Sequence, residues 1–293
     1  MKRLLLIVNP CAGTKRIQRH LADIIALFTQ YGYENVVYMT AARGDATRIV
    51  MERGQEADLI VCAGGDGTFN EVVTGILRGG LDRPIGYIPA GSTNDFASSL
   101  GLPRQIMDAA RQIMEGKPQK VDVGRFQDRY FTYVASCGAF TRASYSTPQN
   151  VKNALGHMAY ILAGIKDIPS IHKFHLRVET DEQVLEDDYI FAAVSNSTSV
   201  GGVLTLDASV VDMRDGLFEI LLIRSPATVA ELNECIIALS TQNYNVGAVT
   251  LHTASRAKIY ADPDMDWTLD GEMAPGREAI EIENLHEAIT LVC

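Results

Sequence analysis

Cys62-Ala63-Gly64-Gly65-Asp66-Gly67-Thr68-Phe69-Asn70-Glu71 runs from an apolar strand pattern through a cluster of glycines into a helical pattern. Glycines, having no side chain, let backbone N–H groups come close to an anion, and a helix starting there turns its positive end toward it. Thr68 and Glu71 also have the spacing of a capping box. A capped helix start is still an anion site, so the two readings are compatible. Asp66 narrows the choice, because a carboxylate beside phosphates is tolerable only with a cation between them.

Two further segments have the same strand-to-turn form. Ile88-Pro89-Ala90-Gly91-Ser92-Thr93-Asn94-Asp95-Phe96-Ala97 places four good cap formers in a row, more than one helix start requires. Asn9-Pro10-Cys11-Ala12-Gly13-Thr14 ends the first strand. In an open α/β sheet such carboxyl-end loops converge on one crevice, the expected ligand site.

Working outward, Leu4 to Val8, Asn35 to Met39, Leu59 to Cys62 and Ile85 to Ile88 read as strands. Helical patterns lie between and after them at Ile17 to Phe28, Asp45 to Arg53, Phe69 to Leu77 and Asp108 to Glu115. The alternation predicts a parallel sheet of Rossmann type. From Gly124 to Ala139, Lys173 to Val194 and Leu217 to Ile223, β-rich runs follow one another, which predicts a second, mainly antiparallel domain. Helical stretches at Asn153 to Lys166 and Thr228 to Leu239 interrupt it. The division is set at 1–124 and 125–293, with the last residues able to return to the first domain.

With 26 basic against 36 acidic residues, a net of −10, the chain has no broad positive field for nucleic acid or an anionic bilayer. Any contact with either must be local. The five cysteines are scattered and form no C-x-x-C pair, as expected of reduced, mostly buried thiols in a cytosolic protein. The opening apolar run, Leu4 to Val8, is short for a signal peptide and reads as a buried strand. The P-loop G-x-x-x-x-G-K-[ST] and the G-x-G-x-x-G fingerprint are both absent, which removes the common NTPase and dehydrogenase readings.

The Gly64 to Thr68 turn with Asn70-Glu71, followed by Pro89 to Phe96, resembles the diacylglycerol kinase catalytic-domain family in order and spacing over roughly the first 125 residues. NAD kinases and phosphofructokinases carry a related glycine-aspartate turn, but their second motifs differ from the Asn94-Asp95-Phe96-Ala97 found here. The resemblance implies a phosphofructokinase-like first domain and a β-sandwich second domain. It also implies ATP and Mg2+ as cofactors. The nucleotide contacts would come from Asn9, Thr40, Gly64, Gly65, Asp66, Gly67, Thr68, Asn70, Glu71, Gly91, Ser92, Thr93 and Asn94. Asp66, and Asp122 in a short D-V-G motif, would act at the catalytic metal. Two positions depart from the family pattern: Ala12 where serine is common, and Ser92 where threonine is common.

In the second domain, Thr268-Leu269-Asp270-Gly271-Glu272 resembles the family's L-D-G-E motif, which implies Asp270 as general base with Glu272 beside it. An Asp-Gly surface turn is the alternative. Asp212-Met213-Arg214-Asp215-Gly216-Leu217 resembles the family's structural magnesium site, with Asp215 acting alongside the carbonyls of Asp212 and Leu217. A plain Asp-Gly turn is nearly as good a reading. Asp262, Asp264 and Asp266 alternate like a calcium loop, but Trp267 stands where that loop needs glycine, so they read as solvated acids. His172 and His175 read as surface residues.

The expected function is phosphoryl transfer from ATP to a lipid hydroxyl, most naturally that of diacylglycerol, by a cytoplasmic protein working at the inner membrane face. The partner is a lipid met from the water side, not a nucleic acid; a homodimer is compatible with this. Leu155, Met158, Ala159, Ile161, Leu162 and Ile165 form an apolar helical stripe that is either core or a lipid-facing surface. Two alternatives remain open. One is a kinase of a soluble metabolite such as NAD, and the other a nucleotide-binding regulator without turnover.

Overall fold

The computed structural model describes residues 1–138, 172–200 and 204–293. The expected helix at Asn153 to Lys166, with its apolar stripe, lies outside them. The described chain divides into two compact units, Met1–Val123 with His286–Cys293, and Gly124–Leu285.

In the first unit the apolar runs are strands, and all but the edge strand are buried on both faces, as strands flanked by helices must be. These are β1 (Lys2–Val8), β2 (Tyr33–Met39), β3 (Leu59–Gly64) and β4 (Ile85–Pro89). The helices are α1 (Ile17–Gln30), α2 (Asp45–Arg53), α3 (Asp66–Gly79), the short α4 (Asp95–Ser99) and α5 (Ile106–Glu115). Strand β1 pairs in parallel with β2 and β3, and β3 pairs in parallel with β4. Parallel pairing brings the carboxyl ends of all four strands to one edge. Leu4, Leu6, Ile24, Phe28, Ile88 and Ile113 form part of a continuous core on one face of the sheet. On α3, a Cβ at Gly75 would lie 2.7 Å from Val50 Cβ of α2, so glycine is what allows these helices to approach.

The chain leaves this unit along β5 (Pro118–Phe126) and comes back along β17 (Ala279–Val292), whose far end pairs in parallel with β4 at Leu291 and Ile85. Between them lie β6 (Arg129–Phe131), β7 (Val134–Gly138), β8 (Phe174–Thr180) and β9 (Val184–Ser195). Then come the two-residue strands β10 (Ser199–Val200) and β11 (Leu204–Thr205), β12 (Phe218–Arg224) and helix α6 (Val229–Thr241). Last are β13 (Val249–Ala254), β14 (Arg256–Tyr260), β15 (Trp267–Leu269) and β16 (Glu272–Ala274). The early half of β9 pairs with β8, while its later half pairs with both β7 and β12, all antiparallel. Trp267, Phe131, Phe218, Leu176 and Ile220 belong to one buried cluster of this antiparallel β-sandwich. Phe131 lies across Gly124, its cross-strand partner, where a Cβ would collide with the ring.

Both fold expectations hold, a parallel α/β first unit and an antiparallel second one. The predicted strands differ from the observed ones by a residue or two at their ends, where pairing extends past the apolar run.

Candidate active site

In the first unit, three turns follow the carboxyl ends of β1, β3 and β4. Gly65 is the N-cap of α3 in extended conformation, and no side chain caps that helix. The expected capping box is therefore not formed. The Thr68 hydroxyl instead accepts from Asn9 Nδ2 at 2.9 Å, tying the second turn to the first. Glu71 accepts from the amides of Gly44 (2.7 Å) and Ala46 (3.1 Å), so it caps the neighbouring helix α2. The reason is that α3 starts at Asp66, three residues earlier than a Thr68 cap would need, which turns Glu71 sideways toward α2.

The second and third turns meet through their backbones. Ala90 N donates to Gly64 O at 2.7 Å, and a Cβ on Gly91 would lie 2.6 Å from Gly65 Cα. Gly13, in the left-handed region at φ +50°, brings the first turn against them, since a Cβ there would be 2.5 Å from Ala90 O. Asn94, at φ 54°, folds its amide back onto Gly91, accepting from its N–H (2.9 Å) and donating to its carbonyl (3.0 Å). Ser92 and Thr93 are exposed at the tip of this turn. Asp66 is buried, and its two oxygens accept from Asp95 N (3.1 Å) and Phe96 N (3.3 Å). Beneath the turns, Phe69 stacks on both Tyr87 and Phe96 at 4.5 Å. Thr40 N donates to Val8 O at 2.9 Å, and Asn70 Oδ1 accepts from the Thr74 hydroxyl at 3.4 Å.

Asp122, fully buried on β5, accepts through Oδ1 from His286 Nδ1 (3.0 Å) and Glu287 N (2.7 Å). Glu287 is left-handed at φ 51°, and this kink in β17 aims its amide at the carboxylate. Neither partner is legible from sequence, because they lie more than 160 residues away.

In the second unit, Asp270 (φ 49°) and Gly271 (φ 82°) form the two-residue loop of the β15–β16 hairpin, with Leu269 paired to Glu272. Positive φ at both loop positions is what this tightest hairpin requires, and Asp-Gly supplies it cheaply. The Asp270 carboxylate then turns inward. Oδ2 accepts from Thr132 N (2.6 Å) and its hydroxyl (2.8 Å), and Oδ1 from Tyr133 N (3.0 Å) and Val134 N (3.1 Å). Burial pushes this carboxyl above its ordinary value, while the three amides and the hydroxyl pull it back. A solvated surface turn would show none of this. Glu272 is half-exposed, 3.8 Å from Arg129 Nη2, and Arg129 also donates to Met273 O at 3.0 Å.

The Asp212–Leu217 segment is held by local hydrogen bonds. Asp212 accepts from Arg214 N (3.1 Å) and Asp215 from Leu217 N (2.9 Å), while Leu217 O accepts from Asn284 Nδ2 (2.9 Å). Close by, burial, reinforced by Asp215 and Asp212, pushes the Glu219 carboxyl up to about 8. Among the described residues no three acidic, histidine or cysteine side chains gather closely enough to hold a metal ion.

Residues 3–126 match the diacylglycerol kinase catalytic domain, and residues 134–293 match the YegS C-terminal NAD kinase beta sandwich-like domain. The diacylglycerol kinase of Bacillus subtilis (strain 168) is 36% identical over 301 residues, covering 100% of this chain and 96% of its own. The chain belongs to the diacylglycerol kinase catalytic-domain family. A diacylglycerol kinase of Staphylococcus aureus (strain MRSA252) is 33% identical over 276 residues, spanning 92% of this chain and 86% of its own. A crystal structure of a diacylglycerol kinase from Bacillus anthracis str. Sterne has the same fold, with TM-score 0.76 and 24% identity over 99% of this chain and 96% of that one. As a member of the diacylglycerol kinase family the chain is a kinase, which removes the reading as a regulator without turnover.

Proposed function

We propose that this kinase moves the γ-phosphoryl group of ATP to the hydroxyl of diacylglycerol or a closely related glycerolipid. The observation that carries the nucleotide half is the backbone contact of Gly65 with Gly91 at the start of α3. Two side-chain-free turns there leave amides within reach of phosphate oxygens, and the first-turn N–H groups of α3 have no intrahelical acceptor. These residues fit a triphosphate. Asn9 and Thr68 brace the cradle, and Gly91 and Asn94 shape its second wall.

Asp270 is assigned the proton of the attacking hydroxyl. Its burial makes it a stronger base than an ordinary carboxylate, and the Thr132 hydroxyl, unlike the amides of Thr132, Tyr133 and Val134, can rotate away to admit an alcohol. Glu272 and Arg129 hold the hairpin that carries it. Phosphoryl transfer asks little covalent chemistry of the protein, so orienting the acceptor and stabilising charge are the main tasks.

Magnesium, when bound with nucleotide phosphates, neutralises charge on the group in transit. An ion held largely by phosphates needs only one or two protein carboxylates. Asp66 and Asp122 both turn oxygens toward backbone amides, so they do not build a metal cage by themselves. Among the described residues no helix is long and apolar enough to cross a membrane, and the lipid is assigned to be met at the bilayer surface.

The deciding assay offers ATP with diacylglycerol, phosphatidylglycerol, a sphingoid base and NAD as acceptors. Transfer to diacylglycerol above the others is the expected result. Transfer to NAD alone would replace the lipid reading with a soluble-metabolite kinase.

A further inference from the structure

Asp66 stands in the glycine turn where the sequence suggests a metal ligand, yet its geometry is that of a helix cap. The carboxylate is 8% exposed and faces the first two amides of α4, accepting from Asp95 N through Oδ2 and from Phe96 N through Oδ1. Helix α4 cannot be capped by its own N-cap residue, because the Asn94 side chain is turned back onto the N–H and carbonyl of Gly91. A side chain 29 residues upstream of Asp95 therefore does what the local sequence does not.

The same junction is closed on its apolar side. Phe96 stacks at 4.5 Å on Phe69, three residues into the helix that Asp66 begins. The carboxylate above and the ring pair below fix the turn after β4 against the turn after β3. The Gly65–Gly91 approach depends on that register, since those glycines have no side chains to hold them.

We propose that Asp66 is a positioning residue, which docks the Gly91–Asn94 turn onto the Gly64–Thr68 turn, and that it does not serve as a direct magnesium ligand. The role rests on reading the two turns as a phosphate cradle. Its consequence is that Asp66 acts on nucleotide binding through the backbone of a neighbouring turn, in the presence or absence of metal.

The test is amide hydrogen exchange at Asp95 and Phe96 in the full chain, with EDTA, without nucleotide, and again with magnesium alone. In the wild type both amides should exchange slowly in EDTA and stay slow with magnesium. In Asp66→Asn, where a carboxamide NH2 meets one of the two N–H donors, exchange should accelerate about tenfold or more. KM for ATP should rise in that variant while the magnesium concentration giving half-maximal activity stays unchanged.

Fast exchange in wild-type EDTA samples overturns the proposal, as does protection that appears only on adding magnesium. Rescue of the variant by excess magnesium overturns it as well. If Asp66→Asn does not fold, the two wild-type samples decide alone. Exchange is read without substrate, so a chain inactive on every lipid would remove the proposed function and leave this result intact.

Discussion

A Cβ on Gly91 would stand 2.6 Å from the Gly65 Cα, whereas a Cβ on Gly65 would stand 3.1 Å from the Gly91 Cα. The contact is asymmetric, so the two glycines differ in how much a methyl group disturbs them. A clash with backbone cannot be relieved by rotating a side chain, and the two turns must move apart.

Gly91→Ala should therefore weaken ATP binding by about tenfold or more, and Gly65→Ala by less, with the larger drop in thermal midpoint also at Gly91. Calorimetric titration with a non-hydrolysable ATP analogue checks the order. Equal losses at both positions would contradict it.

Asp270→Asn should lower kcat by about a hundredfold or more, the usual contribution of a general base. It should also cost about 1–3 kcal/mol of stability, because one carboxylate oxygen becomes an NH2 facing the Thr132 amide. Thr132→Val, which removes only the hydroxyl, should leave most of the stability. In the wild type the carboxyl is raised, so kcat/KM should fall as pH drops through a value above the ordinary 3.8. A pH–rate profile checks the limb.

Among the cysteines, Cys11 is exposed in the first turn while Cys62, Cys137 and Cys235 are buried with thiols pushed up by burial. Thiolate is the reactive form, so native alkylation should label Cys11 far faster than these three. Bound ATP should slow that labelling if the turn lines the nucleotide. Mass spectrometry of tryptic peptides reads both effects.

His175 lies 3.3 Å from both Asp188 and Glu186, with Lys173 and Arg177 competing for the same carboxylates. Those hydrogen bonds raise its pKa. A raised folded-state value means that the pair's stabilisation is complete below the ordinary 6.5 and is lost as pH rises through the folded pKa. NMR titration should place the His175 midpoint above 6.5, falling in Asp188→Asn. Added salt should shrink the shift, because the site is exposed.

Glu71→Gln should cost about 1–2 kcal/mol, since two amides at the start of α2 lose their charged acceptor. Chemical denaturation is the measurement. A loss of nucleotide affinity without loss of stability would instead return Glu71 to the role of a direct ligand.

The parallel unit was legible because three of its four strands are short and apolar on both faces, and because glycine turns mark the carboxyl ends of those three. The sandwich was legible only as a texture of β-rich runs. The way β9 serves β8 with one half and β7 and β12 with the other is a matter of pairing, and pairing leaves no local trace. The capping box at Thr68 misled for a related reason. The spacing is right, but the competing partner Asn9 and the start of α2, whose own N-cap residue is a glycine, lie elsewhere in the chain.

Taken by itself, the sequence determined where the chain could bend, since backbone freedom at Gly64, Gly65, Gly91 and Gly271 is a property of the residue. Which way each carboxylate faces was decided only by the tertiary structure. Asp66 meets the amides of α4, Asp122 the kink at His286–Glu287, and Asp270 the run Thr132–Val134. A buried anion goes where unpaired donors are, and those donors come from segments 29 to 165 residues away.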